Sequence, residues 1–330
     1  MILAGDVGGT KTILALYLQK GGEWVCCKKD HFVSADYDSF GALLDEFLST
    51  SDNLNLQSIC IGVAGPVVGG DCIATNLPWV LKRQGMAVQT GTKNIRLLND
   101  LEATAWGVLG LPEKDFVELN PDAQGNKGNL AVLAAGTGLG EAVVVWTDED
   151  YHIVATEGGH TDFAPRNELE IGLLRFLMEL HPDHVSYERV VCGLGLVNIY
   201  QYLKNIKYAV VNKDVELRME NEDPASVISE KGAGEGDEDE LCAKALKMFC
   251  EIYGAEAGNL ALKCLPKAGV VLAGGIAAKN LSSMQRGDFM RGFLAKGRYR
   301  EALQEISVKV CLNPEAALLG ALTVAKRKKQ

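Results

Sequence analysis

Short apolar runs, most of them ended by glycine or another turn residue, follow one another along the chain. Runs rich in β-branched residues between turn residues predict strands, whereas apolar residues spaced three and four apart predict helices, and the mixture favours an α/β protein. The predicted strands are Ile2–Gly5, Thr12–Leu18, Trp24–Val33, Ser58–Val63, Ile95–Leu98, Leu130–Ala134, His152–Ala155 and Val270–Ala273. The predicted helices are Phe40–Leu48, Leu101–Leu109, Asn167–Leu180, Leu194–Lys204, Asp239–Cys264 and Pro314–Arg327.

The first glycine-rich stretch, GDVGGTKT from Gly5 to Thr12, has to be distinguished from a P-loop. A P-loop needs G-x-x-x-x-G-K-[ST] and leads into a helix whose free N–H groups face the phosphates. Here Thr10 occupies the second glycine position, and the following run TILALY is typical of a strand. The sequence therefore predicts a hairpin turn at Gly8 and Gly9.

A second strand, glycine turn and strand follow at an offset of 130 residues. Leu3 to Leu16 reads LAGDVGGTKTILAL, and Leu133 to Trp146 reads LAAGTGLGEAVVVW. Such internal similarity is expected of a duplicated fold, although any two short hairpins also resemble each other. A third glycine turn, Gly274-Gly275, ends a buried strand.

The three glycine turns are candidate elements of a nucleotide site. Glycine lets a ligand approach the backbone closely, and N–H groups in turns bind phosphates. The first two turns would hold terminal phosphates with the hydroxyls of Thr10 and Thr137, and the third would lie against an adenosine. Chain reversal alone explains each turn equally well when it is considered singly.

Asn99 and Asp100 follow a predicted strand and open the next helix. Both residue types are favoured helix caps, and capping alone accounts for them. A carboxylate at a helix N-terminus also stays ionised, because the dipole and the N–H groups favour its charge. Such a weak base suits phosphoryl transfer, whose loose transition state needs little early deprotonation of the attacking hydroxyl. Asp100 is therefore a candidate general base.

Glu157 and His160 flank two glycines in the sequence EGGH, directly after a predicted strand. A carboxylate and an imidazole can hold adjacent sugar hydroxyls, which both donate and accept hydrogen bonds. A metal pair is the competing interpretation, but the chain supplies no further ligands at a recognisable spacing. Glu188, in YERVVCGLG, precedes a helix and has no special feature by itself.

The composition limits the class of protein. With 43 acidic and 33 basic residues, the 330-residue chain carries a formal net charge of −10, which argues against a broad nucleic-acid or anionic-membrane surface. No apolar run is long enough to span a membrane and no signal peptide is recognised, so a cytoplasmic protein is expected. The nine cysteines lack C-x-x-C spacing and mostly lie in apolar runs, which indicates buried thiols and no structural metal. The acidic run 235–240 is interpreted as a helix start and the basic end 326–330 as a solvated helix end.

Together these segments resemble the actin-like sugar kinase and ATPase superfamily, and more closely bacterial-type glucokinase. The superfamily segments occur in order as DVGGTKT and AAGTGLG for the phosphates, VVLAGGI for adenosine, and IGVAGPV and EAALLGALTVA as connecting segments. The glucokinase-like stretches are ATNLPW, LLNDLEATAWG, TEGGHTDFAP, YERVVCGLGLVNIY, AGNLAL, LAGGIAAKN and FLAKGRY, which span nearly the whole chain.

The resemblance implies a duplicated actin-like (ribonuclease H-like) ATPase fold with two domains around a central cleft, a small one of 1–110 plus 313–330 and a large one of 111–312. It implies a homodimer that transfers phosphate from ATP, with Mg²⁺, to the 6-hydroxyl of glucose, the first step of glycolysis. Asp100 matches the base, and Asp6 would hold Mg²⁺ through water. The residues matched to the sugar are Asn76, Asn99, Asp100, Glu157, His160 and Glu188, and those matched to ATP are Asp6, Gly8, Gly9, Thr10, Lys11, Gly136, Thr137, Gly138, Gly274 and Gly275.

Two departures from relatives bear on the resemblance. Cys192 stands where relatives commonly have serine, which places a thiol beside the sugar-binding loop and would expose activity to oxidation. The EGGH sequence lacks the cysteine-rich zinc box of the related repressor-and-kinase branch, which favours the glucokinase branch and removes the zinc.

Several alternatives stay open. A kinase of mannose, fructose or N-acetylglucosamine would use the same residues, as would a non-catalytic sugar sensor. ADP or polyphosphate are alternative phosphate donors. An actin-like chaperone is disfavoured because it has no use for the Asn99–Asp100 and Glu157–His160 sets, and a repressor would need an added helix-turn-helix.

Overall fold

The structure is a computed structural model that describes residues 1–49, 55–123, 125–234 and 238–327. Residues 235–237 of the predicted acidic helix start and residues 328–330 of the predicted basic end lie outside these ranges. The chain divides into two compact units, the first formed by Met1–Glu113 with Asn313–Gln330 and the second by Lys114–Leu312. The sequence-based domains 1–110 plus 313–330 and 111–312 are close to this division and stay a prediction.

The described ranges contain both strands and helices, and each element predicted above is present. The strands are β1 (Ile2–Val7), β2 (Lys11–Lys20), β3 (Glu23–Val33), β4 (Ser58–Val63), β5 (Val67–Val68), β6 (Asp71–Ile73), β7 (Val80–Leu81), β8 (Ile95–Asn99), β9 (Phe116–Glu118), β10 (Leu130–Ala135), β11 (Leu139–Trp146), β12 (Tyr151–Thr156), β13 (Gly269–Ala273) and β14 (Val308–Cys311). The helices are α1 (Phe40–Ser49), α2 (Arg83–Thr90), α3 (Asp100–Val108), α4 (Glu168–Leu180), α5 (Gly193–Asn205), α6 (Lys213–Asn221), α7 (Pro224–Ala233), α8 (Glu240–Cys264), α9 (Gly275–Lys279), α10 (Leu281–Gln285), α11 (Asp288–Phe293), α12 (Arg300–Gln304) and α13 (Ala316–Lys326).

The main sheets of the two units share one strand arrangement. In the first unit the order is β3-β2-β1-β4-β8, where β1, β2 and β3 pair antiparallel and β1, β4 and β8 pair parallel. In the second the order is β12-β11-β10-β13-β14-β9, with the same antiparallel hairpins, the same parallel strands and one added antiparallel edge strand, β9. This repeated order confirms the predicted duplicated α/β fold.

The parallel strands form the buried centre of each sheet. Every residue of β4 and of β13 is buried, as expected for strands covered on both faces. In the first unit α13 packs against α3, and Gly107 and Gly320 allow backbone contact between the two helices. This contact orients α3, whose first residue is Asp100.

Seven of the described helices were not predicted from the sequence. Four of them, α9, α10, α11 and α12, have only five or six residues, too few for a helical periodicity to show. The other three are α2, α6 and α7. They are largely polar, and α6 buries only Val215, so the apolar periodicity that predicts a helix is weak there. Their start signals were nevertheless present for α6 and α7. The side chain of Asn212 caps α6, and Asp223 caps α7 directly before Pro224.

Candidate active site

The first glycine turn joins β1 to β2 as a hairpin. The Gly8 N–H donates to the Lys11 carbonyl at 3.0 Å, which closes the turn, and a strand rather than a helix follows. A P-loop is therefore excluded, as predicted. Thr10 and Lys11 are exposed at this turn, where their side chains are accessible to a ligand.

Ser34, the residue after β3, is hydrogen-bonded to this hairpin, and its only signal in the sequence is a polar residue directly after a strand. Its hydroxyl donates to the Gly8 carbonyl at 2.8 Å and pairs with the Thr12 hydroxyl at 2.9 Å. Its N–H donates to the Thr10 carbonyl at 3.0 Å. Because Ser34 and Thr12 are both fully buried, these bonds fix the turn without competition from water.

Asp6 lies near the end of β1, just before the glycine turn. Burial, followed by the nearby negative charge of Asp100, raises the pKa of Asp6 to about 6, while the Lys11 ammonium acts in the opposite direction. These effects require the three charged groups to lie close together. The structure therefore brings together the predicted metal-linked carboxylate, the predicted base and a cation of the phosphate turn.

Asn99 and Asp100 form the start of α3. The Asn99 side chain caps the helix, accepting from the Leu101 N–H at 2.9 Å and donating to the Gly65 carbonyl at 3.3 Å. The Asp100 Oδ1 also accepts from the Leu101 N–H at 2.9 Å. Capping is thus satisfied by Asn99, and the Asp100 carboxylate sits at the positive end of the helix beside Asp6.

Asn76 lies next to the first glycine turn. A Cβ on Gly9 would come within 2.8 Å of the Asn76 Cβ, so the glycine backbone packs directly against this exposed side chain. The structure places Asn76 in the same unit as Asn99 and Asp100. Its assignment to the sugar stays a prediction.

The second glycine turn joins β10 to β11 and lies against the third. The Gly136 N–H donates to the Gly138 carbonyl at 2.9 Å, and the Gly136 carbonyl accepts from the Gly193 N–H at 3.0 Å. Gly274 has a φ of +81°, and a Cβ there would overlap the Ala135 carbonyl. The second and third turns are thus held side by side in the second unit.

Internal packing does not require a glycine at the positions of Gly136 and Gly275. A Cβ at either position would meet no atom of the described residues within 4 Å, and neither φ lies in the left-handed region. The backbone at these two positions is therefore open to close approach by a ligand.

Three residues of the second unit that are matched to the sugar, here called the sugar clamp, lie on two short turns. They are Glu157, His160 and Glu188. Glu157 precedes the turn Gly158–His160, and Glu188 lies in the turn Tyr187–Arg189. The two turns are joined by the Tyr187 N–H, which donates to the Thr161 carbonyl at 2.9 Å. The His160 Nδ1 lies 4.0 Å from Glu188 Oε1, while Glu157 and His160 are exposed. The group can thus offer two carboxylates and one imidazole to hydroxyls.

Cys192 does not support the prediction of oxidation sensitivity. Its side chain is 3% exposed and caps α5 by accepting from the Gly195 N–H at 3.3 Å. Burial is the main cause that raises the pKa of its thiol. Because the thiolate is the reactive form, a buried thiol with a raised pKa is a poor target for oxidation. Six of the nine cysteines are buried, as expected for most of them, whereas Cys26 and Cys27 are exposed.

The donor set fits a magnesium ion shared with a nucleotide. Mg²⁺ usually takes one or two carboxylates together with substrate phosphates and waters, and Asp6, just before the phosphate turn, supplies one such carboxylate. Within the described ranges, no group of three or more His, Cys, Asp or Glu side chains is arranged to hold a metal by itself.

Over the same ranges, no helix has the length and apolar character needed to cross a membrane.

A family model agrees with this geometry. The model described as Glucokinase matches residues 3–328. The chain belongs to the glucokinase family. The recognition made from the motifs is therefore confirmed, and the family is one of kinases.

Relatives match this member of the family over its whole length. A glucokinase of Nostoc punctiforme is 37% identical over 338 residues, covering 99% of each chain. The crystal structure of a glucokinase from an Antarctic psychrotroph is 27% identical, has a TM-score of 0.81 and covers 98% of each chain. A ROK family glucokinase from Streptomyces griseus, solved in complex with glucose and AMPPNP, is 18% identical, has a TM-score of 0.67, covers 99% of each chain and shares the fold.

Proposed function

We propose that the chain catalyses the ATP-dependent phosphorylation of D-glucose at the 6-hydroxyl, giving glucose 6-phosphate and ADP. The observation that carries this proposal is that Asp100, at the start of α3, and Lys11, in the first glycine turn, each lie close enough to Asp6 to affect its pKa. A base, a phosphate-binding turn and a second carboxylate thus occur together in a member of the glucokinase family.

The proposed reaction is an in-line transfer. A bond forms between the sugar O6 and the γ-phosphorus, the bond from that phosphorus to the β,γ-bridging oxygen breaks, and the O6 proton passes to Asp100. Asp100 stays ionised until then because the N-terminus of α3 favours its charge. Asn99 caps that helix, and the Asp100 carboxylate accepts from the same Leu101 N–H. Positioning and charge stabilisation supply most of the catalysis in such transfers.

The glycine turns are assigned to ATP. The N–H groups and hydroxyls around Gly8–Lys11 and Gly136–Gly138 would bind its phosphates, and Gly274-Gly275 would lie against the adenosine. Asp6 would hold Mg²⁺ through water, and that ion would neutralise charge on the phosphates. The S. griseus neighbour was solved with glucose and AMPPNP, which supports a nucleoside triphosphate as the donor.

The clamp of Glu157, His160 and Glu188 is assigned to the sugar. Hydroxyls donate to the two carboxylates and exchange hydrogen bonds with the imidazole, and Asn76 and Asn99 are assigned to the same ligand. A site built to pair hydroxyls leaves its polar groups unpaired when a hydroxyl is replaced or points in another direction, so these residues would select glucose over other hexoses. The resemblance also implies a homodimer in the cytoplasm, and this is part of the proposal. Sedimentation of the purified chain measures its oligomeric state.

The test measures ADP release from Mg-ATP without sugar and with glucose, mannose, fructose or N-acetylglucosamine. Strong dependence on glucose alone is expected. Turnover with another sugar only would retain the mechanism and overturn the substrate. When no sugar supports ADP release, repeating the panel with ADP and polyphosphate as donors distinguishes a different donor from a sugar sensor.

A further inference from the structure

Two acidic side chains are buried beneath the sugar clamp and have no part in the reaction proposed above. Glu141 in β11 is 1% exposed and Glu256 in α8 is 0% exposed. Their carboxyl groups lie close enough for each to change the pKa of the other, and Oε1 of each lacks a protein N–H or O–H donor among the described residues. Two neighbouring carboxyl groups that are both buried favour a proton on one of them, because two ionised carboxylates repel each other and only accept hydrogen bonds.

Glu141 supports the turn that carries Glu157 and His160. A Cβ on Gly158 would overlap Glu141 Oε2, so the backbone of this turn rests on the carboxyl group. Thr156 connects the same turn to the backbone of Glu141. Its hydroxyl donates to the Glu141 backbone carbonyl at 2.9 Å and accepts from the Gly158 N–H at 3.1 Å. Movement of the Glu141 carboxyl would therefore displace the turn.

Glu256 supports the turn that carries Glu188. Asn259 Nδ2 donates to Glu256 Oε2 at 2.7 Å and to the Tyr187 hydroxyl oxygen at 3.0 Å. Tyr187 is 3% exposed and directly precedes Glu188. The pair Glu141–Glu256 thus touches one turn of the clamp directly and the other through Asn259.

We propose that Glu141 and Glu256 share one proton and act as positioning residues for both turns of the sugar clamp, so that glucose affinity depends on that proton. This inference rests on the proposed function. Loss of the proton would leave two negative charges facing each other in the interior, and the repulsion would shift the turns that carry Glu157, His160 and Glu188.

The surrounding charges do not remove the need for the proton. The Nζ of Lys263 lies 3.9 Å from Glu256 Oε1, but the side chain of this cation is 58% exposed. The other ionisable groups that face the pair are Lys296, Tyr187, Tyr253 and Cys264. Burial, followed by the charge of Glu256, raises the pKa of Glu141 to about 8. The proton is therefore held at neutral pH and lost as the pH rises through about 8.

The experiment measures the glucose dissociation constant by calorimetry, and KM for glucose and for ATP, from about pH 6.5 to 9.5. Binding that needs one proton weakens up to tenfold per pH unit above its pKa, so about a tenfold rise in KM for glucose is expected between pH 7 and 9. KM for ATP should stay constant over that range. A glucose affinity that does not change up to pH 9.5 overturns the inference without any variant.

Glu141→Gln tests the shared proton itself. Its amide donates permanently to Glu256, so glucose affinity should become independent of pH. Glu256→Gln should also make glucose affinity independent of pH, because its amide can donate to Glu141 and still accept from Asn259. This second variant replaces the first in the experiment if Glu141→Gln folds poorly. Glu149→Gln, at an exposed position, is the matched control and should keep the rise of the parent.

Two outcomes contradict the inference in different ways. A rise in KM for glucose that persists unchanged in a folded Glu141→Gln or Glu256→Gln variant overturns the shared proton while leaving the proposed function intact. Absence of glucose binding by the parent at every pH overturns the proposed function, and the inference with it.

Discussion

The side chain of Glu188 accepts a hydrogen bond from the backbone N–H of Leu139 at 2.9 Å. Leu139 begins β11 directly after the second glycine turn, and Glu188 also lies beside His160 in the sugar clamp. One carboxylate therefore connects the elements assigned to sugar and to phosphate within the second unit.

Glu188→Ala is expected to raise KM for both glucose and ATP, because it removes a sugar ligand and leaves the Leu139 N–H without its acceptor. Glu188→Gln keeps an acceptor oxygen for that N–H, so it should raise KM for glucose about tenfold and leave KM for ATP within about twofold. Steady-state kinetics with each substrate varied separates the two effects. Glu157→Gln, which has no bond to the glycine turn, should affect glucose alone. Equal ATP effects in the Ala and Gln variants would refute the connection.

Ser34→Ala is expected to raise KM for ATP about fivefold while leaving KM for glucose unchanged. The substitution leaves the half-buried Gly8 carbonyl and the buried Thr12 hydroxyl without their partner, which should also lower the free energy of unfolding by about 1–3 kcal/mol. Ser49→Ala is a matched control, because its hydroxyl bonds to the Glu46 carbonyl at an exposed helix end. Kinetics and urea unfolding of both variants provide the comparison, and an unchanged KM for ATP would leave Ser34 a purely structural residue.

Gly275→Ala should fold as the parent does and bind ATP more weakly. The added methyl meets no described atom within 4 Å, so it would collide only with a ligand lying against the backbone. Gly274→Ala is the contrast: the positive φ and the overlap with Ala135 should lower its melting temperature by several degrees. Thermal melts and KM for ATP are measured for both. Normal ATP affinity in Gly275→Ala would argue against adenosine at this turn.

Asp6→Asn is expected to stabilise the protein and weaken its activity. Burial and the charge of Asp100 raise the pKa of Asp6 from 3.8 to about 6. The folded state then binds more protons than the unfolded state between these values, so stability falls as the pH rises through about 6. Asp6→Asn should remove this fall and gain about 1–3 kcal/mol near pH 7, with little gain near pH 4. Urea unfolding at both pH values measures it, and an equal gain at both would contradict the assigned pKa.

The sequence was sufficient for the elements whose signals are local. The buried strands β4 and β13, the hairpin at Gly8-Gly9 and the cap at Asn99 each follow from neighbouring residues, and the structure has them all. The duplicated strand order followed from similar hairpins in the two halves. Motif similarity, rather than periodicity, supplied the roles assigned to Glu157 and Glu188.

The supporting residues depend on contacts between distant parts of the chain. The sequence alone indicates only that Glu141 is a charged residue within the apolar run GEAVVVW. Its partner Glu256 lies on a later helix. Ser34 follows a strand and is polar, which is equally typical of a solvated turn. A single sequence does not determine which polar residues become buried together, so these groups required the tertiary structure.

The most direct test of the central claim, that Asp100 takes the proton of the sugar hydroxyl, compares glucose-dependent ADP release by the parent and by Asp100→Asn. The account predicts a fall in kcat of about 10²–10⁴ for the variant, with glucose affinity by calorimetry kept within an order of magnitude. Glu102→Gln, which removes a charge two residues further along α3, should retain kcat within about threefold. Turnover retained in Asp100→Asn, together with a large loss of glucose affinity, would contradict the account.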